Sequence, residues 1–180
     1  FMSGSVGDNT ARASGVIAAA GGGGKILQVV NAIKTDTSQM GTSFADISSL
    51  SVAITPSDTS SKIYINCSVM LCGCQPGFLK LLRDIGGAGY ADSTFIGDSS
   101  GSKTQCASMS VNPGNTGTAY VCANIGYLDT TNTTSEVTYK LQGKSDNGTY
   151  WLGINKGYPD SNNAGYGRSA SSITAYEVGA

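Results

Sequence analysis

The most informative absence in this 180-residue chain is histidine, of which there is none. Without an imidazole the chain has no Ser-His-Asp triad, no Cys-His pair and no histidine-based metal site. Carboxylate chemistry stays open, but a glycan-cleaving site needs a carboxylate pair in a groove, and nothing in the sequence marks one. We therefore expect a protein that is not an enzyme and that holds no cofactor and no metal.

Charge is scarce as well. Charged residues make up 13% of the chain, about half the usual share for a soluble globular protein, and the net charge is −1. With no basic run, the sequence argues against an electrostatic nucleic-acid binder, whose affinity comes from Lys and Arg neutralising phosphates. No apolar stretch approaches the ~20 residues that span a bilayer, so we expect no membrane insertion. A polar, weakly charged composition is typical of β-rich extracellular or virion proteins.

The cysteines do not form a set that can be fully paired. There are five of them, at Cys67, Cys72, Cys74, Cys106 and Cys122. An odd number cannot be fully paired within one chain, and no C-x-x-C spacing suggests zinc. We expect most to be free thiols packed as small hydrophobic side chains. A single bridge between the strands that carry Cys106 and Cys122 is the alternative.

Residues 1–24 differ in composition from the rest. They hold one charge of each sign and almost no large apolar side chains, so they cannot order themselves alone. We expect a linker, or an arm that orders against a partner. Gly24-Lys25 is not a Walker-type phosphate loop, because Ile26 replaces the required Ser or Thr. We interpret the glycines at 21–24 as a flexible joint. The start at Phe1-Met2 leaves open that the chain is a segment of a longer protein.

Residues 25–180 show the pattern of a β-domain. Alternation is clearest at 62–71, where one face carries Ile63, Ile65, Cys67, Val69 and Leu71. The other predicted strands are 25–35, 50–55, 77–84, 105–111, 118–129, 135–143, 149–155 and 171–178. Asp146-Asn147-Gly148 predicts a hairpin turn. Many short strands with regular turns and no long helix indicate an antiparallel sandwich or barrel.

Several phrases carry a resemblance to a known family: GGGGKILQVV, KTDTS, SFADISSLSVAITPSDTSSKI, LKLLRD, LDTTNTTSEVTYKLQ and YGRSASSITAYEV. Together they resemble a domain at the C-terminal end of bacteriophage tail-fibre and other virion proteins, over about residues 24–178. The resemblance implies an all-β, antiparallel jelly-roll-like β-sandwich, similar in shape to C1q/TNF-type knobs, preceded by an extended N-terminal arm. It also implies a homotrimer on a virion made in the host cytoplasm. The stretch NCSVMLCGC departs from it, because such proteins usually carry aliphatic residues there.

On this resemblance the leading expectation is adhesion. The chain would be the knob of a tail fibre that binds a glycan or a protein of the host surface. The alternative is an architectural role, as a capsid decoration or head-fibre protein attached to other virion proteins through residues 1–24.

The loop NKGYPDSNNAGYGRSASS, residues 155–172, is the candidate receptor-binding site. It mixes rigid aromatic and adaptable polar residues, as antibody recognition loops do. A tyrosine ring stacks on a sugar, while Asn and Asp supply hydrogen bonds. The candidates are Tyr158, Asp160, Asn162, Asn163, Tyr166 and Arg168. The alternative is an ordinary surface loop or a contact between subunits.

Two further features have plainer interpretations. Asp92 and Asp98 lie in a second long loop, 84–103, and carboxylates are Ca²⁺ ligands. They lack the dense spacing of a dedicated calcium site, so we interpret them as solvated carboxylates. Trp151 is predicted to pack in the core or in an interface.

Overall fold

The computed structural model describes residues 24–73, 75–110, 120–146, 148, 151–157 and 160–180. Within these ranges the chain forms eleven β-strands: β1 (Ile26–Lys34), β2 (Ser38–Met40), β3 (Ala45–Ile54), β4 (Lys62–Cys72), β5 (Gly77–Ile85), β6 (Ala91–Asp92), β7 (Ser108–Ser110), β8 (Tyr120–Thr130), β9 (Val137–Ser145), β10 (Leu152–Ile154) and β11 (Ser171–Val178). The same ranges contain no helix that is long and apolar enough to cross a membrane.

The strands form two antiparallel sheets that pack as a sandwich. Sheet A has the order β1-β11-β4-β10-β2, with β8 also paired to β4. Sheet B has the order β3-β9-β5-β6, with β7 also paired to β5. The long strands alternate between the sheets along the chain, and the first and last strands are neighbours, as in a jelly roll. The predicted antiparallel jelly-roll-like sandwich is confirmed, while the arm predicted at its N-terminus falls on residues 1–23, outside the described ranges.

The core lies between the sheets and follows the alternation in the sequence. The inward side chains of β4 are at most 1% exposed: Ile63, Ile65, Cys67, Val69 and Leu71. Those of β9 meet them from sheet B: Val137, Tyr139 and Leu141. Each such side chain stabilises the fold by about 1.5–3 kcal/mol through its removal from water. The predicted buried face of β4 is confirmed.

Strand β3 starts five residues before the predicted strand at 50–55. Its pairing with β9 shifts register between Asp46 and Ser51, which marks a bulge. Ser49 has φ 65° inside it. Between these two pairs four residues of β3 stand opposite one residue of β9, and the buried Ile47 and Leu50 are three positions apart instead of two. The sequence therefore shows alternation only after the bulge.

The predicted hairpin at 146–148 is wrong. Strand β9 pairs with β3 and β5 in sheet B, whereas β10 pairs with β2 and β4 in sheet A. The chain passes from sheet B to sheet A between β9 and β10. The turn signal therefore does not identify the strands that pair. Asn147 itself lies outside the described residues. The short strands β2 and β6 are not predicted, and β7 and β10 are shorter than predicted.

A buried ion pair joins the two sheets. Arg83 on β5 donates to both carboxylate oxygens of Asp129 on β8, at 2.7 and 2.8 Å. Tyr139 and Tyr127 donate their hydroxyls to the same carboxylate, at 2.7 and 2.9 Å. Burial and then the nearby charge of Asp129 raise the pKa of Tyr139. Because the carboxylate accepts these four hydrogen bonds from three donor groups, its burial leaves no unsatisfied charge.

Gly24 has a packing role at the start of the domain. A Cβ atom there would lie 2.4 Å from Cγ1 of Val178 and 2.6 Å from the carbonyl oxygen of Gly179. Only glycine allows this approach to the end of β11. The chain therefore enters the domain beside its own C-terminal strand, and β1 begins two residues later, close to the predicted boundary between 1–24 and 25–180.

Candidate binding site

The loop between β10 and β11 is held at both ends by one buried asparagine. Asn155 donates its amide to the backbone carbonyl oxygens of Lys34 and Asp36, at 2.8 and 3.0 Å. Its side-chain oxygen accepts the hydroxyl of Ser171 at 2.6 Å. Its backbone N–H donates to Met70 at 3.0 Å. The side chains of Asn155 and Ser171 are almost fully buried. They form a fixed base for the exposed loop between them.

Five of the six predicted site residues come together on this loop. These five residues are Asp160, Asn162, Asn163, Tyr166 and Arg168, and they line a shallow surface cavity of about 310 Å³. Ser161, which was not predicted, lines it with them. The sixth predicted residue, Tyr158, lies outside the described residues. The wall is polar apart from one aromatic ring. A cavity of this kind offers hydrogen bonds and one stacking surface to a ligand.

Asp160 in the cavity wall interacts with two cationic side chains. Arg168 donates a hydrogen bond to one of its carboxylate oxygens, and Lys156 lies 3.7 Å from the other. The Arg168 hydrogen bond lowers the pKa of Asp160, so its carboxylate is ionised at neutral pH. The Arg168 side chain is 57% exposed. Since a guanidinium has five donors, the group bonds to Asp160 and still presents N–H groups to solvent.

A tight turn positions the aromatic wall. The Asn163 side-chain oxygen accepts the Gly165 N–H at 2.8 Å, and the Asn163 carbonyl accepts the Tyr166 N–H at 3.0 Å. Asparagine commonly closes turns this way because its side chain imitates a backbone carbonyl. The turn fixes where Tyr166 leaves the backbone. Since the Asn163 side-chain oxygen is used in the turn, the amide nitrogen is the part of the side chain that can still donate.

Tyr120 on β8 packs beside the cavity and is a neighbour of the site that the sequence did not predict. A Cβ atom on Gly157 would lie 2.4 Å from the Tyr120 hydroxyl oxygen and 2.8 Å from Cδ1 of Tyr166. Both rings therefore pack over this glycine. No signal in the sequence joins residues 120 and 166. They meet because Cys72 at the end of β4 pairs with both Tyr120 and Gly153.

The site and the N-terminal entry lie at opposite ends of sheet A. Ser171, at the base of the loop, opens β11, and Val178, beside Gly24, closes it. The antiparallel pairing of β1 with β11 runs from Lys34↔Ser171 to Ile26↔Val178. At a rise of about 3.3 Å per residue, these ends are roughly 23 Å apart.

The other predicted features have structural roles. Asp92 forms an ion pair with Lys80 at 2.8 Å, and the described residues contain no group of three His, Cys, Asp or Glu side chains that fits a metal. Lys156 Nζ lies 4.4 Å from the centre of the half-buried Trp151 ring. The tryptophan thus supports a residue of the site, as a cation–π partner.

The cysteines fit the prediction only in part. Cys67 is buried as a small hydrophobic side chain, and its burial raises its pKa to about 12. Cys122 is exposed and Cys106 is half-buried, so packing does not explain them. Both are free thiols, so the alternative bridge between them is not formed. Cys74 lies outside the described residues.

Comparisons with known proteins give no family. No protein-family model and no curated protein matches the chain. The matching solved structures include that of infectious bursal disease virus Gt strain, with TM-score 0.39 and 12% identity over 84% of this chain and 42% of that chain. The Gx strain structure gives TM-score 0.34 and 11% identity, over 86% of this chain and 43% of that chain.

A third match is the crystal structure of the VP2 subviral particle of the same virus. It gives TM-score 0.33 and 14% identity, over 84% of this chain and 41% of that chain. The chain thus spans less than half the length of the proteins it matches. TM-scores this low carry no argument about the role of the chain.

Proposed function

We propose that this chain is a non-enzymatic structural protein of a bacteriophage virion, the trimeric knob of a tail fibre, and that the cavity at residues 160–168 binds a glycan of the host surface. The N-terminal side attaches to the particle, and the loop points away from it. The bacteriophage assignment and the trimer come from the sequence resemblance. The choice of the loop as the binding surface is supported by the cavity that residues 160–168 line.

The observation that carries the proposal is the separation of the two ends. Gly24 brings the N-terminal segment to one end of β11, and the polar cavity opens at the other end. A protein held by its N-terminal residues would present this loop outward. The base at Asn155 and Ser171 keeps the loop in place without a ligand, which lowers the entropy cost of binding.

The lining suits a polyhydroxylated ligand. Tyr166 offers a ring to the apolar face of a sugar, and Asn162 and Asn163 offer amides to its hydroxyls. Arg168 adds a cation held in place by Asp160. Because the pair is internally neutralised, the site does not depend on a strongly charged ligand.

The test is binding of the full chain to an array of bacterial surface polysaccharides. We expect Tyr166→Ala and Arg168→Ala each to weaken binding at least tenfold, about 1.4 kcal/mol. The matched controls are Tyr90→Ala, an aromatic residue 42% exposed, and Lys103→Ala, an exposed cation outside the loop. Neither control should change binding.

Three results would contradict the glycan site. One is binding that survives both loop substitutions. Another is an equal loss in the controls, which would indicate a general surface effect. Absence of any glycan bound by the unaltered chain would leave the cavity without the ligand class proposed for it and would sink the proposal.

The second candidate function is capsid decoration through the N-terminal segment. It is favoured by the same position of Gly24, beside Val178 and at the end of β11 that is away from the cavity. Removing residues 1–23 should then abolish incorporation into particles, while Tyr166→Ala and Arg168→Ala leave incorporation and host attachment unchanged. Loss of attachment in the loop variants would exclude a purely architectural role.

A further inference from the structure

The outer face of sheet A carries an apolar row that the described residues leave uncovered. Val29, Tyr176, Tyr64 and Leu128 are aligned across β1, β11, β4 and β8 by the strand register. Three of them are well exposed: Val29 at 54%, Tyr64 at 38% and Leu128 at 48%. We call the outward side of these four strands the sheet A face.

The edge of this face is more apolar still. Strand β1 is the edge strand of sheet A and exposes Ile26, Leu27 and Ile33 by 56%, 49% and 60%. Soluble proteins protect edge strands with charge, proline or a covering segment, because an exposed apolar edge pairs with other chains. In β1 the one charged residue, Lys34, is fully buried. A bulge between Ile26 and Gln28 interrupts the start of the edge, but the outward residues from Val29 to Ile33 carry no charge.

The face is also flat. A Cβ atom on Gly126 of β8 would lie 3.0 Å from the Tyr64 hydroxyl oxygen, so the Tyr64 side chain lies over this glycine. The Tyr64 and Tyr176 rings are 6.0 Å apart and tilted by 39°. Rings that lie along a sheet give a broad, low surface, which is what a large partner needs.

We infer that the sheet A face is the surface through which copies of this chain assemble. The inference rests on the proposed trimeric knob and names its contact surface. A second copy suits the charge: among all outward positions of the four strands, only Lys62 is charged. A face that meets its own copy meets the same charges, and here it meets almost none.

The polar rows of the face fit a copy as well. Next to the apolar row, the register aligns Asn31, Thr174 and Asn66. Amides and hydroxyls both donate and accept, so such a row can bond to whichever polar groups the next copy of a trimer presents to it. A patch built only of donors or only of acceptors cannot do this.

The size is adequate for a stable contact. The six most exposed apolar residues of the face present roughly 600 Å² to solvent, at the top of the range for the largest patch on a monomer. Polar neighbours bring the area close to the ~800 Å² per partner of a standard interface. Residues 1–23 fit less well, because they have few large apolar side chains to cover the face.

The experiment is sedimentation velocity of the full chain at micromolar concentration, with two matched variants. Leu128→Lys changes the sheet A face, and Met109→Lys changes β7 on the other sheet. Both residues are 48% exposed, so each lysine has equal access to water. We expect the unaltered chain and Met109→Lys to sediment as the same oligomer, and Leu128→Lys to sediment as a monomer. Circular dichroism melts should show that both variants fold.

A monomeric unaltered chain would overturn the inference, and so would a Leu128→Lys oligomer as tight as that of Met109→Lys. Assembly that is lost on removal of residues 1–23 but kept in Leu128→Lys would overturn it too. If Leu128→Lys fails to fold, Val29→Lys in the same row takes its place. These outcomes are independent of glycan binding. An oligomer that depends on Leu128 but binds no glycan refutes the proposed function alone.

Discussion

The buried carboxylate of Glu177 shows how a single residue joins three segments of the chain. From β11 it accepts hydrogen bonds from Gln28 Nε2 at 2.7 Å, and from the backbone N–H and the hydroxyl of Ser57 at 2.6 Å each. Burial alone would raise its pKa, but these donors outweigh burial and lower the pKa from 4.5 to about 2. The ionised form is therefore the stabilising one.

This shift predicts acid sensitivity. Because the folded-state pKa lies below the unfolded value, the stabilisation is fully present above pH 4.5 and is lost as the pH falls toward 2. Its full size is about 3 kcal/mol. Glu177→Gln should lower the free energy of unfolding by about 1–3 kcal/mol at pH 7, and by about half as much at pH 3. Urea denaturation at both pH values measures this.

The control for Glu177 is Glu136→Gln, since Glu136 is exposed. It should change the free energy of unfolding by less than about 0.5 kcal/mol at either pH. An effect of Glu177→Gln that does not depend on pH would contradict the assignment of its stabilisation to the ionised carboxylate.

Gly157 gives a second test at the scale of a residue. Gly157→Ala would press a methyl group against Tyr120 and Tyr166, while Gly167→Ala in the same loop meets nothing within 4 Å. Since side chains can move aside, Gly157→Ala should cost about 1 kcal/mol of stability and mainly displace the rings. We expect glycan binding to fall at least tenfold for Gly157→Ala and to be unchanged for Gly167→Ala. Equal glycan binding by the two variants would show that the Tyr120 and Tyr166 rings do not contribute to the site.

At the scale of elements, the loop between β10 and β11 depends on its base. Asn155→Ala would leave the carbonyls of Lys34 and Asp36 and the Ser171 hydroxyl without their bonds. We expect a loss of about 2–4 kcal/mol in the free energy of unfolding, because buried polar groups without partners are costly. Faster hydrogen exchange should appear in residues 160–170.

The control for Asn155 separates hydrogen bonding from backbone conformation. Asn132 also has a positive φ, 51° against 60°, but it is exposed. Asn132→Ala therefore carries the conformational cost of about 1 kcal/mol without the buried bonds. Equal losses in the two variants would show that the base of the loop is held by φ alone.

Long strands could be predicted from the sequence, because alternation over eight or more residues identifies a buried face. Strand β11 has the predicted bounds, and β4 ends one residue later than predicted. Strands β2 and β6 have three and two residues, too few to show a period. The hairpin prediction at 146–148 failed because a turn signal depends on local sequence. Tertiary contacts decide which sheet the next strand joins.

The loop that carries the site could be predicted from the sequence, but the full set of residues that meet there could not. Its composition identified Asp160, Asn163 and Tyr166 because recognition loops share that mixture. Tyr120 contributes from a strand 35 or more residues away in sequence, and its place depends on the pairing of β4 with two strands at one end. The ion pair between Arg168 and Asp160 could not be predicted either, because it depends on how the loop folds back on itself.

At the scale of the whole molecule, one sandwich carries three separate surfaces. The chain enters at Gly24, the polar cavity opens roughly 23 Å away along β11, and the sheet A face runs between them. Assembly through that face would place the three cavities at one end and the three N-terminal segments at the other. That arrangement is what a knob on a fibre requires.

The most direct test of this account is the mass of the full chain in solution, by light scattering after size-exclusion chromatography. The account predicts three times the chain mass of 18.3 kDa, independent of dilution through the micromolar range. A monomer over the same range would contradict both the self-assembling knob and the role of the sheet A face.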